Sequence, residues 1–482
     1  MLKKLSSLVL FITTALLLCN SSVSAKDGYK IHLKFTDIKD TLVYLAHYYA
    51  KPLPTIYKND SVRLNKNGEG VLQSNTKLLG GIYIILLSDK KTYFDILLDN
   101  GADFMITTSL KEIPTKMKIT GYPENLHFIE YGTFLEGFSE KQMGLAKKLS
   151  DSKSKADSLA VGIQMQNTGK ELTNYRKAYI AKYPHTLLSQ IFDALSIPDV
   201  PTGDHYLPDG KVDSMFAYNY YKAHYWDGFD FTDDRLINAP IYDLKLDEYI
   251  NKLTYQHEDS VIKESNILLA KTKNSPELFK YTLWWLTYNA ENSKVMGMDA
   301  VFVYLVENYY MKGAAVWLTP EELQKYYDAA QKIAPNVLGN IAPELKMQDV
   351  NNVEQSLHAV KAKYTLVVFW SPDCGHCQHE IPIIDSLYKA SLKKKGLRVF
   401  AVSTNEDEKL WKEFIQKHEL QDWVNVWDPE NKTRFRRLYN VYMTPILYLL
   451  DEKKIIRAKR LDYLNIADIM DMLDRKEKSN SK

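Results

Sequence analysis

The sequence predicts a multidomain chain: an all-β domain first, an all-α middle region, then an α/β domain at the C-terminus. Three observations carry this expectation. Short alternating or apolar runs, separated by turn residues, fill residues 26–122, which is the period-2 pattern of half-buried strands. From 123 to 335 the apolar residues recur at helical spacing. From 336 to 482, strand-like and helix-like segments alternate, which implies a mixed sheet covered on both faces. A length of 482 residues suits two or three domains.

Residues 1–25 have the form of a secretory signal, with Lys3 and Lys4 first, an apolar core Leu8 to Leu18, and small residues at Val23-Ser24-Ala25. Cleavage would place the protein in the periplasm or cell envelope. Two forms of membrane attachment stand second to it. The apolar core has 11 residues, too few to span a bilayer comfortably. Lipid attachment at Cys19 meets Leu18 where lipoprotein processing wants a small residue. Cleavage removes Lys3 and Lys4 and no acid, so net charge falls from +2 to 0, which gives no support for nucleic-acid binding. It also leaves Cys374 and Cys377 as the remaining cysteines of the original three. A bridge across so short a loop stabilises little, so their use is redox or metal chemistry, or none.

In the β domain, runs at Lys30 to Phe35, Thr41 to Tyr48, Ile82 to Leu87, Tyr93 to Leu98, Phe104 to Thr108 and Lys116 to Thr120 read as strands. Asn67-Gly68 and Asn100-Gly101 read as turns. A sandwich or open barrel of six to eight strands is expected. In the middle region, Phe128, Tyr131, Phe134, Leu135 and Phe138 share a helix face, and Pro184 ends or kinks a later helix. Ser275-Pro276-Glu277 and Thr319-Pro320-Glu321-Glu322 read as capped helix starts. Residues 197–210 read as a long loop. The aromatics of this region, Tyr225, Trp226, Trp285 and Tyr310 among them, are read as helix packing rather than a binding platform.

The chemistry-bearing stretch is Tyr364 to Pro382. Leu366 to Trp370 reads as a buried strand, Ser371-Pro372-Asp373 breaks it, and Cys374-Gly375-His376-Cys377 opens a helix. A thiol at a helix N-terminus meets unpaired N–H groups and the positive end of the macrodipole, and both favour the reactive thiolate. Residues at i and i+3 are helix neighbours, so Cys377 can reach back to Cys374. Cys374, at the lip, would attack; Cys377, one turn in, would resolve. His376, when protonated, lowers the thiol pKa further, whereas the charge of Asp373 opposes it. An inert buried pair, zinc held with His376 or His379, and a peroxidase site are the alternatives. No second C-x-x-C or H-x-H accompanies the pair, so no metal is expected.

This stretch resembles the active site of the thioredoxin superfamily, specifically its TlpA-like extracytoplasmic branch with an N-terminal β domain and helical middle domain of the Bacteroidetes type. Thr444-Pro445, before the strand-like run Ile446 to Leu450, resembles the cis-proline loop that faces the cysteines. Glu380 matches a glutamate that TlpA-like proteins carry beside their cysteines, and Pro382 matches the proline that kinks the first helix. The resemblance spans roughly Gly339 to Arg475. Thioredoxin has a buried aspartate six residues before its first cysteine; Val368 stands there instead.

The resemblance implies a thiol-disulfide oxidoreductase, acting as reductase or isomerase, whose redox centre is a Cys374–Cys377 disulfide with no separate cofactor. It implies catalytic roles for Cys374, Cys377 and Glu380, and substrate contacts at Trp370, His376, Thr444 and Pro445. The implied partners are cysteine-containing exported proteins and a membrane electron donor. The competing class is a non-catalytic envelope scaffold that binds or senses through its first domains. The expected boundaries are 1–25, 26–122, 123–335 and 336–482.

Overall fold

The computed structural model describes residues 27–480; the expected signal segment, with Cys19, lies outside them. The chain packs as two compact units, one running up to Leu253 and including Lys271–Tyr281, the other formed by Thr254–Ala270 and Thr282 onward. Among the described residues, no helix is long and apolar enough to cross a membrane.

The first unit opens with eight strands: β1 Tyr29–Phe35, β2 Leu42–His47, β3 Tyr57–Arg63, β4 Glu69–Ser74, β5 Gly81–Leu87, β6 Tyr93–Leu98, β7 Ala102–Thr108 and β8 Lys118–Thr120. They form two four-stranded sheets, β4-β1-β7-β8 and β3-β2-β5-β6. Both sheets feed one core, where Ile31, Leu33 and Phe35 meet Leu45, Ile85, Phe94 and Phe104. This is a sandwich. β3 and β4 escape the sequence pattern because both are edge strands of polar composition, and edges carry little apolar signal.

Helices follow. Pro123–Ser150 and Lys155–Lys182 form a long pair, and Leu187–Ala194 begins just past Pro184. The 197–210 stretch is irregular. The aromatics of the middle region divide: Tyr225, Trp226, Trp285 and Tyr310 are buried, Tyr220, Tyr221, Trp284, Tyr304 and Tyr309 are half-buried, and Tyr218 is exposed. Thr319 and Glu322 form the expected capping box. Ser275 does not cap as read from the sequence. Its hydroxyl donates to the Phe231 carbonyl at 2.6 Å, and the Leu278 N–H is taken by Asp234 at 3.1 Å.

The second unit contains a mixed sheet of seven strands: β9 Lys346–Asp349, β10 Glu354–Ser356, β11 Tyr364–Trp370, β12 Leu397–Ser403, β13 Val424–Trp427, β14 Ile446–Asp451 and β15 Ile456–Lys459. Their order is β10-β9-β13-β12-β11-β14-β15. β11 lies inside it, parallel to β12 and antiparallel to β14. All seven residues of β11 are buried, so its sides serve two cores. Leu366, Val368 and Trp370 pack with Cys377, Ile381 and Ile384 on one face. Val367 and Phe369 pack with Phe400, Phe435, Tyr439 and Tyr448 on the other. The final helix is Ile466–Asn480.

Asn336, where the C-terminal domain was expected to begin, is a buried junction. Its amide nitrogen donates to the carbonyls of Lys332 and Leu438 at 2.9 and 3.0 Å. Lys459, only 4% exposed, donates to the Asn336 carbonyl at 2.9 Å and to its Oδ1 at 3.1 Å, and pairs with Asp299. Burial lowers the Lys459 pKa, with Asp299 opposing. A buried cation this well bonded penalises loss of one partner more than loss of both. Lys459→Met should therefore destabilise this unit by about 3 kcal/mol, read as a fall in the urea midpoint, and the Lys459→Met, Asp299→Leu double variant should recover most of the loss.

Candidate functional site: a dithiol at a strand–helix junction

β11 ends at Trp370, whose carbonyl accepts the Thr404 N–H at 2.8 Å. That bond ties the ends of β11 and β12 together. Ser371, Pro372 and Asp373 then turn the chain, and the Cys374 N–H closes the turn on the Ser371 carbonyl at 3.2 Å. Cys374 is the N-cap residue of the helix Gly375–Leu387, with extended backbone at φ −82° and ψ 121°. Its carbonyl accepts the first helical bond, from Gln378 at 3.0 Å. Pro382 lies inside this helix.

The two thiols are free and differently placed. Cys374 is half-buried and Cys377 is fully buried. Cys374 Sγ donates to the Thr444 carbonyl at 3.3 Å, and the Ser371 N–H donates to Cys377 Sγ at 3.5 Å. Thr444-Pro445 is a cis peptide, as the sequence led one to expect. The topology makes this contact, because β14 pairs directly with β11 and its leading loop therefore arrives beside the thiol.

The electrostatics separate the thiols. Burial pushes the Cys374 thiol up, but hydrogen bonds to its sulfur outweigh that. They come from the Thr444 side chain, from the Cys377 backbone and thiol, and from the His376 backbone, and the net pKa lies below the ordinary thiol value. The backbone donors among them, from His376 and Cys377, are unpaired N–H groups of the first helical turn. For Cys377, burial dominates and pushes the thiol up to about 12, against a smaller pull from the Ser371 N–H. Asp373 turns its carboxylate onto the Ser371 hydroxyl.

The other expected residues divide. His376 and His379 are exposed. Glu380 is half-buried; burial raises its carboxyl pKa, with Asp462 adding to this and His376 and His379 opposing. No hydrogen bond among the described residues joins it to either sulfur. Val368 is fully buried at the position where thioredoxin carries its aspartate. Trp370 requires a correction. Expected to contact substrate, it is 0% exposed and packs its ring on Phe414 at 4.8 Å. As the last residue of a strand covered on both faces, it supports the site from below. Among the described residues, no group of three His, Cys, Asp or Glu side chains could hold a metal ion.

A cleft of about 590 Å³ opens beside Cys374, walled by Asp373, Asn405, Glu406, Arg436, Tyr442 and Met443 among others. Apart from Asp373, sequence reasoning missed these residues. One signal was available: ligands bind beyond the carboxyl ends of strands in open α/β sheets, and Asn405 lies just past the end of β12.

Residues 338–459 match the AhpC/TSA family, while 29–128 and 190–336 match two domain families of unknown function, DUF4369 and DUF5106. The chain is 28% identical over 139 residues to "Thioredoxin-like protein YneN" of Bacillus subtilis, covering 28% of this chain and 78% of that one. It is 27% identical over 115 residues to "Thiol-disulfide oxidoreductase ResA" of Bacillus cereus, covering 24% of this chain and 64% of that protein. Among solved structures, a domain of a possible thiol-disulfide isomerase from Cytophaga hutchinsonii is 38% identical, with a TM-score of 0.29 over 30% of this chain and 99% of that one.

The Thr444 side chain helps hold the Cys374 pKa down, so Thr444→Val should raise it. The pH profile of iodoacetamide alkylation will read this as a higher midpoint, with Cys377 unreactive at neutral pH in both proteins. Residues 338–459, which carry this dithiol junction, match the AhpC/TSA family and are similar to thioredoxin-like thiol-disulfide oxidoreductases.

Proposed function

We propose that this chain is an exported thiol-disulfide oxidoreductase that reduces or isomerises protein disulfides through Cys374 and Cys377. The observation that carries the reading is the split between the thiols: an accessible one lowered in pKa, and a buried one raised to about 12. That is the division of labour exchange requires, since the thiolate attacks and the second thiol must wait.

The Cys374 thiolate attacks one sulfur of a substrate disulfide; a Cys374–substrate bond forms, the substrate S–S bond breaks, and the departing thiolate takes a proton. Cys377 then loses its proton and attacks the Cys374 sulfur. The second substrate thiol leaves, the substrate is reduced by two electrons, and the chain holds a Cys374–Cys377 disulfide. A membrane dithiol donor returns it to the reduced form. Glu380, with its raised carboxyl pKa, takes the Cys377 proton. Thr444 and Pro445 present backbone to an extended substrate segment, and His376 borders it.

Residues 1–25 act as the export signal, placing 26–122, 123–335 and 336–482 as three domains in the periplasm or cell envelope, facing cysteine-containing exported proteins. The test is trapping. Cys377→Ser should accumulate mixed disulfides on Cys374 that reductant releases, and Cys374→Ser should accumulate none; equal yields from both would overturn the assignment. Glu380→Gln should slow resolution on the order of 10²-fold without changing Cys374 alkylation. Equilibration with glutathione separates the two directions, since about −270 mV marks a reductase and about −180 mV an isomerase.

A further inference from the structure

The cleft beside Cys374 has two unlike walls. One is the loop leading to Pro445, where Tyr442 and Met443 are 62% and 60% exposed. The loop holds them out. Val441 and Ile446 on either side are buried, and the Val441 N–H is fixed to the Arg436 carbonyl at 2.8 Å. The Arg460 guanidinium lies over the Tyr442 ring at 5.2 Å. Two large apolar side chains kept in water beside a reactive thiol form a surface that gains free energy when covered.

The rest of the lining is polar and built. Asn405 donates to the Ser371 hydroxyl at 3.3 Å, accepts the Asp407 N–H at 2.7 Å through its Oδ1, and takes the Trp427 indole N–H on its carbonyl at 2.7 Å. The carboxylates of Asp373 and Asp407 are engaged at home, on the Ser371 hydroxyl and the Leu410 N–H. Glu406, exposed between them, has no hydrogen bond or ion pair among the described residues. The lining thus carries Asp373, Glu406 and Asp407 against the Arg436 guanidinium, which donates to the Thr404 carbonyl at 2.6 Å.

We infer that this cleft selects cysteine segments with an apolar side chain on one flank and a basic one on the other, Tyr442 and Met443 covering the first and Glu406 pairing with the second. This rests on the exchange reading above and names its substrate class. An acidic flank would meet the carboxylate wall and be repelled, a discrimination that acts on encounter and weakens with salt.

The test uses the reduced full chain and short peptides whose cysteine is a 2-pyridyl disulfide, so that release of the thiopyridone reads attack by Cys374. Leu-Cys-Lys should react about fivefold faster than Leu-Cys-Glu at low salt, with the gap narrowing at high salt. It should also react faster than Gly-Cys-Lys. Glu406→Lys should reverse the Lys-over-Glu order, and the Tyr442→Ser, Met443→Ser double variant should abolish the Leu-over-Gly preference while leaving the pH profile of alkylation unmoved. Equal rates for all peptides, or a charge preference that persists in Glu406→Lys, would overturn the inference and leave the exchange reading standing. Release from none of the peptides would overturn both.

Discussion

The site depends on where a fully buried strand hands its chain to a helix. Every residue of β11 is buried, which fixes its end, and the Thr404 bond to its last carbonyl pins it to β12. The first turn of the next helix therefore has a fixed place, with its orphan N–H groups aimed at one sulfur. β14, paired to the other side of β11, brings Thr444 to that same sulfur. One strand, through its two neighbours, positions most of the groups that act on Cys374.

Two opposing effects then sort the cysteines. Desolvation raises any buried thiol, and hydrogen bonds to the sulfur lower it. At Cys374 the donors win; at Cys377, deeper by one helical turn and packed into the core with Trp370, desolvation wins. The arrangement needs no buried carboxylate before the first cysteine, and Val368 is accordingly free to be core. The pKa order also sets a pH response. An unfolded Cys377 ionises near about 8.5, whereas the folded one keeps its proton to about 12. The folded reduced state thus binds more protons across that window, and its stability falls as pH rises through it.

Much of this was legible in the sequence because the strongest physical signals are local. The run from Leu366 to Trp370, the breakers after it and the helical spacing beyond Cys377 define the junction without reference to distant residues. Thr444-Pro445 was legible through resemblance. The strands β3, β4, β9, β10 and β13 were not, since they are short, or polar, or both, and tertiary pairing rather than propensity makes them strands. Trp370 was misassigned for a related reason. Alternation separates two faces, but in a strand buried on both it does not say which residue reaches solvent. The cleft walls were least visible: Asn405, Arg436 and Tyr442 are far apart in the chain and meet only through sheet order.

Two sulfurs, one turn apart, have their pKa values moved in opposite directions by their surroundings. Carbon-13 NMR of cysteine Cβ-labelled reduced protein, titrated with pH, observes both directly. The account predicts two separate transitions: Cys374 below the ordinary thiol range, and Cys377 still protonated until about 12. Coincident transitions near about 8.5, or the reverse order, would contradict it.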